Sequence, residues 1–348
     1  AASDVYKRQA LQDVTTGGYN VAIGYYAGKD ITTGGESVAI GQNALRTATT
    51  SGYNIAVGSN ALYANTGGHA NVAVGHKAME SNTTGEDNVG IGASALYANT
   101  TSSYNTAVGN RAMQVNTAAL NTAVGSLCMF SNTTGTENTS IGQASLYTNS
   151  TGSYNTAVGR YALRLNTTAN NNSAFGHTAL TSNTTGSENT AVGRLALYDN
   201  TTGANNIAIG YYALQANTTG IKNVAVGNYT LDADTGANYC VAMGHEALTA
   251  NTANYNVALG FVAGKANTSG ANNVFVGGEA GEANTTGSYN AAIGMRALEA
   301  NTTADGNTAV GYYALTATTT GAQNVAIAVS YTHLRAHETL RYLVWRRV

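Results

Sequence analysis

From residue 10 to residue 327 the apolar and polar positions of this chain recur together, almost always every seventeenth residue. Residues 206–222, NIAIGYYALQANTTGIK, show one full period. A residue from the set Ile, Val, Leu, Met or Phe precedes a glycine, and an alanine usually precedes that residue. Ala-Leu follows at the third and fourth positions after the glycine, as at Ala213-Leu214. The glycine marks the period from Gly24 to Gly311, and Ala328 stands in the next place. The step is 17 except from Gly109 to Gly125 and from Gly244 to Gly260, where it is 16.

A short fixed period predicts a solenoid, in which each repeat rests on its neighbours. Seventeen residues are too few for a helix–turn–helix unit and suffice for two or three short strands with their turns. The expected fold is all-β: a parallel β-solenoid of about 19 coils, on the order of 90 Å long at strand spacing. Its core is thin. The branched residue before the glycine, the neighbouring alanine and the Ala-Leu pair are the expected core positions. Strict alternation along a strand sets one condition. If Ile209 points into the coil, Ala208 points out, either against another chain or against a bend of its own coil.

Two asparagine columns accompany the apolar pattern. Asn stands four residues before the glycine in nearly every copy, with Ser37 and Cys240 as exceptions, and seven after it in most. Stacking at about 4.8 Å lets amide side chains bond up each column. Asn54, Asn71, Asn105, Asn155, Asn206, Asn223, Asn217 and Asn284 are the expected ladder residues. Asn and the Gly of Asn-Thr-Thr-Gly also suit left-handed turn backbone. The Asn-Thr-Thr triplets match a glycosylation acceptor pattern, which recurrence in register makes a by-product of turn chemistry unless the host is a secretory eukaryote. The two short steps, at residues 116–121 and 251–256, each drop one residue of this turn, which marks it as exposed and unpacked.

Composition narrows the class. The chain has 348 residues, 41 Gly, no Pro and only 10% charged residues, and its net charge is −2. Hydrophobic residues at 43% argue against disorder. There is no basic stripe for nucleic acid, and no apolar run approaches the roughly 20 residues of a membrane span. Cys128 and Cys240 lie about seven coils apart, too far to bridge.

The ends break the pattern. Residues 1–9 (AASDVYKRQ) and 329–348, which hold Trp345, share no column with the repeat. SDVYKRQ and SYTHLRAHETLRYLV resemble translated sequencing-adapter read-through. Both ends are therefore expected to be artefact, leaving residues 10–328 as the repeat domain.

The repeat core resembles the head repeat of the YadA-like trimeric autotransporter adhesins: Ser37-Val38-Ala39-Ile40-Gly41 matches its hallmark over five residues. Long arrays of the Asn-Thr-Ala-Val-Gly kind are also similar to phage tail-fibre-like proteins. The resemblance covers residues 10–328. It implies a left-handed β-roll, three chains side by side, a place on a bacterial surface or virion, and adhesion to host cells or matrix. The period of 17 is longer than in the best-known heads, and neither neck, stalk nor membrane anchor is recognisable.

Candidate chemistry is sparse, and no enzyme activity, cofactor or metal is expected. His76, His177 and His245 share a column but lie coils apart, too distant to share a metal. Glu282 and Glu299 occupy one column in adjacent coils, with Lys265 below and Thr316 above. Their separation suits a retaining glycosidase pair, but a flat solenoid face offers no cleft to shift their chemistry. Tyrosine is the informative surface residue. Tyr25-Tyr26, Tyr211-Tyr212 and Tyr312-Tyr313 follow their glycines and are the candidate contacts for a glycan or host protein, or else a cover for the thin core. The expected function is a non-enzymatic fibrous adhesin or tail-fibre segment. The alternative is an ice-binding solenoid using stacked Thr, either in Asn-Thr-Thr or at Thr106, Thr122, Thr139 and Thr156.

Overall fold

A computed structural model describes residues 9–327. The expectations for Ala328 and for the two ends therefore lie outside the described residues, Gln9 apart. The described chain is all-β: nineteen three-residue parallel strands, from β1 (Val21–Ile23) to β19 (Val325–Ile327), form a β-solenoid. Two compact units divide it, Ala1–His177 and Thr178–Val348. The first contains β1 to β10 (Ser173–Phe175), and the second contains β11 (Thr190–Val192) to β19.

Within each unit, consecutive strands pair in register, column upon column. Ile207, Ala208 and Ile209 of β12 (Ile207–Ile209) lie beside Val224, Ala225 and Val226 of the next coil. The short steps preserve this register: Thr106 pairs with Thr122, and Val241 with Val257. Each coil has one strand, not two or three. The remainder of the coil still bonds between coils, as when the Leu214 amide donates to the Thr230 carbonyl at 2.9 Å and Ala216 to Asp232 at 3.2 Å. These stretches are not extended, because alternate residues are left-handed: Tyr212 has φ 60° and Leu214 φ 51°.

The sense of the strand alternation reverses one expectation. Ala208 is fully buried, whereas Ile207 and Ile209 are 39% and 40% exposed. The alanine column points into the coil and the branched columns point out. Size decides this. The coil interior already holds Ala213, Leu214, Asn206 and Asn217, all fully buried, and only a methyl fits between them and the strand.

One exception shows the same limit. Phe275 replaces the inward alanine in β16 (Val274–Val276), and the usual leucines of the two coils around it become Gly264 and Gly281. A Cβ on Gly264 would lie 2.5 Å from the Phe275 ring, and one on Gly281 would also strike that ring. One large side chain has taken the volume of two. Met79 with Gly90, and Ile31 with Gly28, are smaller exchanges of the same kind.

The asparagine columns are interior, and all eight named asparagines are fully buried. Seven residues after the glycine the ladder runs amide to amide: Asn217 Nδ2 donates to Asn200 Oδ1 at 2.8 Å, and Asn284 Nδ2 to Asn267 Oδ1 at 2.6 Å. Four before the glycine it runs mainly through the backbone. The Asn223 main-chain N donates to Asn206 Oδ1 at 2.9 Å, and Asn206 Nδ2 donates to the Gly220 carbonyl at 2.8 Å. Asn54, Asn71, Asn105 and Asn155 take part in the same column.

Neither asparagine column is left-handed, which corrects the role expected from turn chemistry. The left-handed positions are Tyr212, Leu214, the residue before the first Asn (Asn205, φ 60°) and the marker glycine (Gly210, φ 139°). The turn is also only partly exposed. Thr219 is exposed, but Gly220 is buried between Asn217 and Asn223.

Candidate binding surfaces

The three tyrosine pairs share a construction. Their ring centroids are 4.3 Å apart in each pair, tilted for Tyr25–Tyr26 and edge-to-face for Tyr211–Tyr212 and Tyr312–Tyr313. A cation from an adjacent coil covers one ring of each. Arg46 lies 4.9 Å from the Tyr26 centroid. Arg194 lies over Tyr211 and donates to its hydroxyl at 3.1 Å, and Arg296 does the same to Tyr313 at 2.7 Å. The hydrogen bond between paired hydroxyls raises the pKa of Tyr212 and of Tyr312 above the ordinary phenol range. Such pairs present ring edges and hydroxyls as much as flat faces.

Arginine is thus part of each pair, and register alone could have found two of the three. Arg194 stands one period before Tyr211 in its own column, and Arg296 one period before Tyr313.

The second unit extends the aromatic strip. Tyr212 stacks with Tyr229 at 5.5 Å, His245 lies 6.1 Å from Tyr229, and Phe261 stacks on His245 at 5.9 Å. The most exposed tyrosines lie elsewhere, directly before the first Asn: Tyr19, Tyr53, Tyr104 and Tyr154 in one unit, Tyr255 and Tyr289 in the other. All six are left-handed, and Tyr255 stacks flat on Tyr239 at 5.1 Å.

The Glu282–Glu299 column borders a shallow, open groove of about 810 Å³ in the second unit, lined also by alanines of the next column. A third carboxylate joins the pair: one oxygen from each of Glu279, Glu282 and Glu299 lies within 4.8 Å of the others, and all three residues are half-buried. Arg296 Nε is 2.6 Å from Glu279 and 4.0 Å from Glu299. Lys265 turns away from Glu282 to Glu246, at 2.5 Å, and this bond holds the Glu246 carboxyl below its ordinary pKa.

The other polar groups are structural. Both cysteines are free and buried. Cys128 packs against Ser140 and Ser145, and burial raises its pKa. Burial pushes the Cys240 thiol up to about 11, leaving it a poor nucleophile. The glycosylation-like asparagines are buried with their amide nitrogens donated, so the folded coil presents no acceptor at Asn200 or Asn217. The first threonine of Asn-Thr-Thr is also engaged: Thr218 Oγ1 donates to the Thr235 carbonyl at 2.8 Å.

No known protein family matches the chain, and no curated protein matches it. Among the described residues, no helix is long and apolar enough to cross a membrane.

Proposed function

We propose that this chain is a segment of a non-enzymatic fibrous surface protein, an adhesin or a tail fibre, in which three copies pack side by side through their sheet faces. The carrying observation is the reversed alternation: the alanine column points into the coil, and the column of large apolar residues before the marker glycine points outward, beside an outer column that is apolar in some coils and threonine in others. Ile55, Ile91 and Ile141 in the first unit, and Ile207, Ile209 and Ile293 in the second, are exposed large hydrophobics. An apolar column repeated through every coil is what an association surface needs and what a free surface avoids. Covering a half-exposed Ile or Val contributes about 1 kcal/mol. Over the coils of one unit this sums to on the order of 10 kcal/mol, comparable with the roughly 4–15 kcal/mol that association costs.

On this reading the tyrosine pairs and the tyrosines before the first Asn face outward, toward a host glycan or protein, and the assembly works outside the cell, on a bacterial surface or a virion. The test uses the whole chain against immobilised matrix proteins and glycans. Saturable binding to at least one surface is expected, weakened when Tyr211 and Tyr212 are both changed to Ala. A folded, assembled protein that binds nothing in the panel would remove the adhesin reading.

The ice-binding alternative loses support at the first threonine, whose hydroxyl is bonded to the next coil. It rests on the exposed second threonine, as at Thr84, Thr134 and Thr219, and on Thr106, Thr122, Thr139 and Thr156, which stack in register beside the inward column of their strands. Thermal hysteresis at high protein concentration would favour it.

A further inference from the structure

The groove in the second unit lies outside the sheet face and has its own chemistry. Its floor is a run of methyl groups: Ala250, Ala266, Ala283, Ala300 and Ala317. In the first unit the same column carries Thr47, Val115, Thr148 and Leu165 among others, side chains that would stand where the groove runs. Its wall carries Glu282 and Glu299 at the centre, with Thr249 and Lys265 on one side and Thr316 on the other.

Charge is unbalanced there. Three carboxylates, Glu279, Glu282 and Glu299, share one guanidinium, Arg296. Lys265 is already paired with Glu246. Glu282 makes no ion pair or side-chain hydrogen bond among the described residues. The surplus favours a cation and repels an anionic glycan.

The floor selects further. Its backbone is already bonded between coils: the Ala266 amide donates to Glu282 at 2.9 Å, Ala283 to Glu299 at 3.0 Å, and Ala300 to Thr316 at 3.1 Å. An extended peptide seeking main-chain partners finds none of these donors free. The floor has no aromatic ring on which a sugar could stack. A bare divalent ion would have to compete with Arg296 for Glu279 and would leave the methyl floor unused. What fits both surfaces is a flexible chain of methylenes bearing ammonium groups.

We propose that this groove binds a linear aliphatic polyamine, its methylenes on the alanine floor and its ammonium groups on Glu282 and Glu299. The carboxylates stand on adjacent coils, about 4.8 Å apart along the column. Neighbouring ammonium groups on one chain can therefore meet successive carboxylates.

The test is calorimetric titration of the whole chain with spermidine at low ionic strength. Wild type is expected to bind saturably. Glu282→Gln and Glu299→Gln should each weaken binding roughly 10-fold or more, the usual scale of a lost hydrogen bond to a charged group. Ala283→Leu should abolish it by filling the floor with no change of charge, and circular dichroism would confirm that the variant is folded. If Ala283→Leu does not fold, Ala300→Val is the milder filling variant. Unchanged binding in the folded filling variant would mean diffuse attraction to an acidic surface and would overturn the site. So would calcium binding at the three carboxylates that spermidine does not displace.

Discussion

Asp234 stands where the ladder has asparagine, and its neighbourhood registers the difference. The residue is fully buried. Its Oδ1 accepts the amides of Gly236 and Ala237, while its Oδ2 and the Oδ1 of Asn217, one coil earlier, have no partner. An amide at 234 would donate toward Asn217, as Asn217 donates to Asn200; a carboxylate cannot. Burial raises the Asp234 pKa, and no cation contributes to the shift. The folded pKa lies above the unfolded one, so the associated stability is present below the ordinary carboxylate range and is lost as pH rises through the folded value. Asp234→Asn should therefore stabilise the protein at neutral pH by about 1–2 kcal/mol, with the advantage shrinking as pH falls. Denaturant melts of both proteins across pH check this, and an advantage constant with pH would contradict it.

Two glycine columns separate space from conformation. The marker glycine has φ between 122° and 146° in all its described copies, and a Cβ on Gly210 would meet the Gly227 carbonyl carbon at 2.6 Å. The turn glycine is crowded but not left-handed, and Ala169, Ala237 and Ala304 occupy its place in three coils. Gly210→Ala should cost roughly 2 kcal/mol or more, and Gly220→Ala less than about 1. Equal costs in thermal melts would remove the conformational argument. The marker glycine was legible from its recurrence alone. The left-handed state of Leu214 and Tyr212 was not, because local preference assigns that backbone to Gly and Asn; here the stack of coils fixes it.

At the scale of the strand, the sequence Val-Ala-Ile shows that residues alternate but not in which sense. Both faces are apolar, so the usual division into apolar-in and polar-out gives no sign. Interior width decides, and Phe275 marks its limit. Phe275→Ala should open a cavity at a cost of about 3–5 kcal/mol. Restoring the leucines in the same protein, as Gly264→Leu, Phe275→Ala and Gly281→Leu together, should recover most of that loss, because both glycines already have the left-handed φ of the leucine column, 60° and 59°. A triple variant no more stable than Phe275→Ala would show that the two coils cannot return to the common packing.

The shortened coils show how an element absorbs a deletion. Asn116 and Asn251 keep their rungs to the following coils, at 2.7 and 2.8 Å, although each turn has lost a residue. The loss shows one coil earlier for Asn116, where Asn99 Oδ1 is unpartnered. The Asn columns and the fixed step were readable because each depends on one residue type at one spacing. The groove beside Glu282 was not. It needs alanine in the neighbouring column through five successive coils, and that matters only once the column is known to form a floor.

For the whole molecule, the outward branched columns are the feature with the largest consequence. Each coil buries its alanines and its leucine, yet the larger residue before the marker glycine stays at the surface, so an apolar face lies in the open. The account requires that other copies of the chain cover this face. Light scattering behind a sizing column measures that directly on the intact protein. The predicted mass is that of three chains of 35.5 kDa each, falling toward one chain when Ile207 and Ile209 are both changed to Glu. A mass of one chain for the unaltered protein, with its β-sheet circular dichroism intact, would contradict the account.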